Sequence, residues 1–187
     1  MSPRVLVVAA TTAEAAYAPP GLPVLITGIG KVAAASAVAR ALATRPRIGL
    51  VVNIGSCGAL RDAMAGVYEV TRVLNHDLSA DALRALHYDP QEWLEVGIRD
   101  NGPITDVALA TGDLFVTDPA VRETLAARAD LVDMEGYAVA WACREAGVPV
   151  RLVKHVSDNA DEGALDWVAL VDRSARALGD WLETHLT

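Results

Sequence analysis

Short apolar runs alternate with Ala-rich or mixed segments along the whole chain. Residues 5–10 form a continuous apolar run with β-branched members, the pattern of a strand buried on both faces. A turn at Pro19, Pro20, Gly21 and Pro23 precedes a second short strand over 24–27, which ends at Gly28-Ile29-Gly30-Lys31. Residues 32–43 (VAAASAVARALA) predict a thin helix, and 49–54 a third strand, followed by a glycine loop, Gly55-Ser56-Cys57-Gly58. A fourth strand is expected over 67–74, and strand-like runs over 106–110 and 113–116. Asp118-Pro119 has the N-cap and first-turn chemistry of a helix reaching about Ala127. A short strand over 131–134, a helix over 135–146 closed by Gly147 and Pro149, and a buried strand over 150–156 follow. Trp167, Leu170, Val171, Leu178, Trp181 and Leu182 are spaced as the apolar stripe of a helix covering one sheet face. Residues 75–104 keep no period and predict a loop with short helices. Strands alternating with helices make the class α/β, with a wound, largely parallel sheet.

Length and charge narrow the picture. The 187 residues suffice for one domain with a real core, and no repeat, low-complexity tract or linker divides them. A net charge of −8 argues against a nucleic-acid or anionic-membrane partner, since both rest on a basic patch. Cys57 and Cys143 form neither a disulfide framework nor a metal pair, and read as reduced core thiols. The first residues lack a signal peptide's features, and no segment reaches the ~20 apolar residues of a membrane span. A cytoplasmic location is therefore expected.

Three acids stand where apolar runs end or turn. Glu14 follows the first strand, Glu135 sits in LVDMEGYAVA, and Asp158 in RLVKHVSDNAD. Carboxyl ends of strands are where α/β proteins place their sites, and an acid so near a core needs a partner or a task. The glycine turn at Gly28–Lys31 suits either an anion at a helix N-terminus or simply a tight strand-to-helix connection. It is neither a P-loop nor a full dinucleotide fingerprint. Phe115, in Thr111-Gly-Asp-Leu-Phe115, is the only phenylalanine, a core aromatic or a ring that stacks on a flat base. No metal-ligand spacing occurs.

GIGKVAAA, NIGSCGAL, TGDLF, VDMEGYAVA and VSDNAD, in that order, together with Glu14, resemble the nucleoside phosphorylase/nucleosidase superfamily. The resemblance is greatest to the methylthioadenosine/S-adenosylhomocysteine nucleosidases. It implies one three-layer α/β/α domain over residues 1–187, with a mixed, largely parallel sheet. It implies hydrolysis of a purine nucleoside without cofactor or metal, in a homodimer. Glu14 then matches the group that positions and deprotonates water, and Ser56 a serine that helps hold it. Phe115 matches the aromatic stacked on the purine. Met134 and Glu135 match the pair under the ribose. Asp158 matches the acid that protonates N7, with Ser157 beside it.

Superfamily phosphorylases hold phosphate with several cations. In the hexameric purine nucleoside phosphorylases, one such arginine falls where this chain has Asn53. Their glycine segment after the first strand is Thr11-Thr12-Ala13-Glu14 here. Both substitutions favour water. Two departures from the family are Lys154, in place of an arginine near the water, and a short Glu14–Gly28 connection. Asp158 favours a 6-aminopurine. Futalosine hydrolase, a phosphate-dependent phosphorylase, and a catalytically silent nucleoside-binding protein are the alternatives.

Overall fold

The computed structural model describes residues 4–45, 47–97 and 106–187, except the side chains of residues 162 and 163. The elements are β1 (Arg4–Ala9), β2 (Val24–Ile26), α1 (Lys31–Thr44), β3 (Ile48–Ala59), β4 (Val67–Val70), β5 (Arg72–Asn75), α2 (Ala80–Ala85) and β6 (Trp93–Glu95). They continue with β7 (Ala108–Thr111), α3 (Pro119–Ala126), β8 (Leu131–Asp133), α4 (Gly136–Glu145), β9 (Val150–Asp158), a 3-10 turn (Glu162–Asp166) and α5 (Trp167–Leu186).

The strands form one sheet in the order β2-β1-β3-β8-β7-β5-β6, with β9 paired to β3 and β4 paired to β9. Pairings β1–β2, β1–β3, β3–β9, β5–β7 and β7–β8 are parallel, while β3–β8, β4–β9 and β5–β6 are antiparallel. The sheet is thus mixed and largely parallel. Period-two alternation sends successive β1 residues to opposite faces. Leu6 and Val8 meet Ala34, Val38 and Ala41 of α1 and Val139 and Ala142 of α4. Val7 and Ala9 meet Leu178 and Leu182 of α5. Alanine at the α1–α4 contact lets two helices share one face, so the expectation of thin, closely packed helices holds.

Four elements depart from the sequence expectations. Residues 55–58 are not a loop, because β3 continues to Ala59 with Gly55 beside Lys154, Ser56 beside His155 and Cys57 beside Val156 on β9. Backbone pairing with a distant strand overrides the glycines' local preference. The strand over 67–74 breaks at Thr71, since β4 pairs with β9 whereas β5 pairs with β6 and β7. Residues 113–116 leave the sheet as an irregular segment. The stretch 75–97 holds α2 and also the edge strand β6, while 98–104 lie outside the described residues. The Asp118 cap is present, its Oδ1 accepting from Ala120 N at 2.8 Å.

β3 is long enough to serve two neighbours on one side. β1 runs parallel to it as far as Asn53, and β8 runs antiparallel from Ala59 to Gly58. The carboxyl ends of β1 and β8 therefore point toward each other across residues 54–57. β9 flanks the same residues on the other side and ends at Asp158.

Candidate active site

A cavity of about 390 Å³ opens where these three strand ends converge. Glu14, Ser56, Phe115, Met134, Glu135, Ser157 and Asp158 all line it. They come from the turn after β1, from β3, from the segment after β7, from the β8–α4 junction and from the end of β9.

Glu14 is buried, and both its oxygens are held. Oε1 accepts from the Ser56 backbone N–H and hydroxyl, each at 2.9 Å. Oε2 accepts from the Thr11 backbone N–H and hydroxyl, each at 3.1 Å. Ser56 in turn receives the indole N–H of Trp167 on its hydroxyl oxygen at 2.8 Å.

Glu135 caps α4, and its Oε1 accepts from Gly30 N at 2.7 Å. Gly30 has φ of +92°, a conformation that glycine adopts without strain and that precedes α1. Burial pushes the Glu135 carboxyl up to about 7, with the nearby Asp133 charge adding to it and the Gly30 N–H and Lys154 opposing it. The adjacent Lys31 N donates to Asp113 Oδ1 at 2.8 Å. These two N–H groups at the start of α1 thus hold the protein's own carboxylates, which corrects the anion-site alternative for Gly28–Lys31.

Asp158 accepts from Ala160 N at 2.8 Å on Oδ1 and from the Ser157 hydroxyl at 2.6 Å on Oδ2. Phe115 is 45% exposed, so it is not a core aromatic. Its ring and that of Trp167 belong to the cavity wall, together with the exposed Ile29, Leu114, Leu165 and Val168.

Beneath the cavity lies a buried ion pair. Lys154, only 1% exposed, places Nζ 2.8 Å from Asp133 Oδ2 and donates to Asn53 Oδ1 at 2.8 Å. Burial pulls the Lys154 ammonium down, but Asp133, Glu135 and Glu14 more than offset this and its pKa is raised. Asp133 also accepts from Thr111 Oγ1 at 2.6 Å and Gly136 N at 2.9 Å. A methyl group at Gly55 would sit 3.2 Å from Lys154 Nζ and 3.3 Å from Glu14 Oε1, so glycine there lets cation and carboxylate approach.

Sequence reasoning missed Asp133 and Trp167. An acid inside the apolar run LVDM was the available signal for Asp133. Its spacing with Leu178 and Leu182 predicts Trp167 in the sheet-covering stripe, yet it lies in the first turn of α5 and lines the cavity. Asn53 is engaged on both ends of its amide, by Lys154 and by donating to Val8 O at 3.1 Å, and does not line the cavity. The cavity lining contains Glu14, Asp133, Glu135 and Asp158 but no lysine, arginine or histidine among the described residues.

Residues 17–184 match the family model of the phosphorylase superfamily. The aminodeoxyfutalosine nucleosidase of Helicobacter pylori (strain ATCC 700392 / 26695) is 33% identical over 93 residues, 48% of this chain, and the match spans only 40% of that relative's length. The 5'-methylthioadenosine/S-adenosylhomocysteine nucleosidase of Shewanella sp. (strain MR-7) is 28% identical over 163 residues, 75% of this chain and 69% of that one. Among solved structures, a small-molecule complex of the Helicobacter pylori 5'-methylthioadenosine/S-adenosyl homocysteine nucleosidase superposes with a TM-score of 0.84 at 21% identity, covering 98% of both chains. The Streptococcus pneumoniae MTA/SAH nucleosidase in complex with 8-aminoadenine gives 0.75 at 23% identity, covering 96% of this chain and 98% of that one. The structural matches carry the fold, and the family model carries the membership. With a mixed sheet of that architecture and a match over nearly its whole length, the chain belongs to the phosphorylase superfamily.

Proposed function

We propose that this protein is a nucleosidase that cleaves the N-glycosidic bond of an adenine nucleoside with water, of the methylthioadenosine/S-adenosylhomocysteine type. The observation that carries the reading is the cavity lining, with acids from three strand ends and no cationic side chain among the described residues. A phosphate nucleophile would meet only like charge there, whereas water needs a base and no cation.

The purine lies on Phe115 with N7 toward Asp158, and the ribose lies on Met134 with its hydroxyls donating to Glu135. Glu14 takes a proton from water as it attacks C1′, and Asp158 delivers one to N7 of the departing base. The logic is that of an inverting glycosidase, with acid and base on opposite sides of the bond. No cofactor is called for. The exposed apolar residues at the cavity mouth, Ile29, Leu114, Leu165 and Val168, support a homodimer that covers them. No helix among the described residues is long and apolar enough to cross a membrane. Cys57 and Cys143 are buried and unpaired, which suits the cytoplasm.

The test is release of free base from methylthioadenosine, S-adenosylhomocysteine, adenosine, inosine, futalosine and aminodeoxyfutalosine, each with and without phosphate. Adenine release independent of phosphate, and lost in Glu14→Ala and Asp158→Asn, is the expected result. Aminodeoxyfutalosine belongs in the series because a 33% identical relative carries that name. Release only with phosphate would make the protein a phosphorylase. Adenine binding with no release from any substrate would make it a binding protein.

A further inference from the structure

The Ser56 hydroxyl is more tightly specified than a serine that merely touches water needs to be. A hydroxyl has one proton and two lone pairs, and an indole N–H can only donate. Trp167 Nε1 donates to Ser56 Oγ at 2.8 Å, so that the serine's proton is left to point at Glu14 Oε1, 2.9 Å away. One Ser56 lone pair remains for a third partner. Trp167 is fixed independently, because it opens α5, whose Leu178 and Leu182 pack on β1 and β3.

Glu14 sharpens the point. An ionised carboxylate offers about four acceptor positions, and Thr11 and Ser56 supply four donors between them. For Glu14 to accept a proton from water, one hydroxyl must give way. The Thr11 hydroxyl is held from behind only by the Glu14 backbone N–H at 3.3 Å. The Ser56 hydroxyl is held by the shorter Trp167 bond.

We propose that Trp167 is a positioning residue for the general base. Its indole N–H locks the Ser56 hydroxyl onto Glu14 Oε1. The Thr11 side then yields, Oε2 takes one proton from water as its oxygen bonds to C1′, and the free Ser56 lone pair accepts a hydrogen bond from the O–H that the oxygen keeps. This rests on the hydrolytic reading above, and assigns to the first turn of α5 a task in the chemistry as well as a place in the cavity wall.

The experiment compares wild type, Trp167→Phe, Ser56→Ala and the double variant by two readouts. One is the tryptophan indole N–H spectrum of ¹⁵N-labelled protein. The other is kcat and KM for base release. The chain has four tryptophans, so the indole signal absent in Trp167→Phe identifies its donor. That signal is expected to move in Ser56→Ala, an arm that leaves Trp167 itself intact. In Trp167→Phe, which keeps an aromatic ring but lacks the donor, kcat should fall about three- to tenfold, the rate equivalent of one neutral hydrogen bond. KM should change little, as for a group acting only on the chemical step. Trp167→Phe should cost nothing further in the Ser56→Ala background. An indole signal unmoved by Ser56→Ala, an unaltered kcat in Trp167→Phe, or losses that multiply in the double variant would overturn the role of Trp167 alone. A wild-type protein that releases no base would overturn the reaction and this role with it.

Discussion

Glu14 and Glu135 face one cavity from two strand ends, in very different surroundings. At the β1 end, Glu14 receives backbone and side-chain donors on both oxygens. At the β8 end, Glu135 receives the Gly30 N–H and lies close to the charge of Asp133. The first carboxylate is prearranged in one orientation by four donors. The second is left short of donors, so its charge is costly until something donates to it. Sugar hydroxyls are such donors. One cavity thus holds one acid with both oxygens satisfied and one left short of donors, which suits the proposed split between chemistry and binding, and Lys154 lies beneath both.

The comparison breaks most directly at Glu14. Glu14→Gln keeps shape but cannot take a proton, and base release should fall by about 10²–10⁴. Steady-state kinetics should show the loss in kcat, whereas Glu135→Gln should show it mainly in KM. Equal effects on kcat from the two variants would erase the distinction.

Lys154→Met removes the cation under both corners and leaves Asp133 buried without its partner. The expected cost is about 3–5 kcal/mol of stability, read from the urea midpoint. A near-neutral midpoint would mean that the pair contributes nothing to holding the two strand ends together.

The third test uses pH. Glu135 has its folded-state pKa raised from 4.5 to about 7, so the folded protein binds the extra proton. The stability this gives is full below pH ~4.5 and is lost as pH rises through ~7, on the order of 3 kcal/mol in all. Denaturant titrations of wild type and Glu135→Gln should diverge across that window, with the variant the more stable at pH 8. Parallel curves would place Glu135 in the same satisfied class as Glu14. On the proposed binding mode, KM of the wild type should improve over the same pH range, as the Glu135 carboxylate forms.

The smallest effect sets the scale away from the cavity. Asp118→Ala removes the α3 cap and should cost about 1 kcal/mol, seen by thermal unfolding with kcat unchanged. A fall in kcat would show that the cavity senses the whole sheet and not only its own strand ends.

Much of this was legible in the chain before any fold was known. The apolar runs around residues 5–10 and 150–156 became β1 and β9, and Asp118-Pro119 opened α3. Those signals are local, written in periodicity and capping chemistry. The end of β3 was not legible, because residues 55–58 are glycine-rich and become a strand only by pairing with β9 and β8. The seven candidate site residues could be named from motifs, and the fold brings all seven to one cavity. The Trp167–Ser56 bond joins residues 111 positions apart, and no sequence window contains both.

Sequence alone determined the alternation of strands and helices, the acids at the strand ends and the net charge of −8, since each follows from residue type and short-range spacing. The tertiary structure decided which donors each acid receives. It set Glu14 among four hydrogen bonds, Glu135 beside Asp133, and Lys154 in a buried pair with a residue 21 positions earlier. The reason is physical: burial and charge proximity set the energy of an ionised group, and both belong to what lies across the fold, not along the chain.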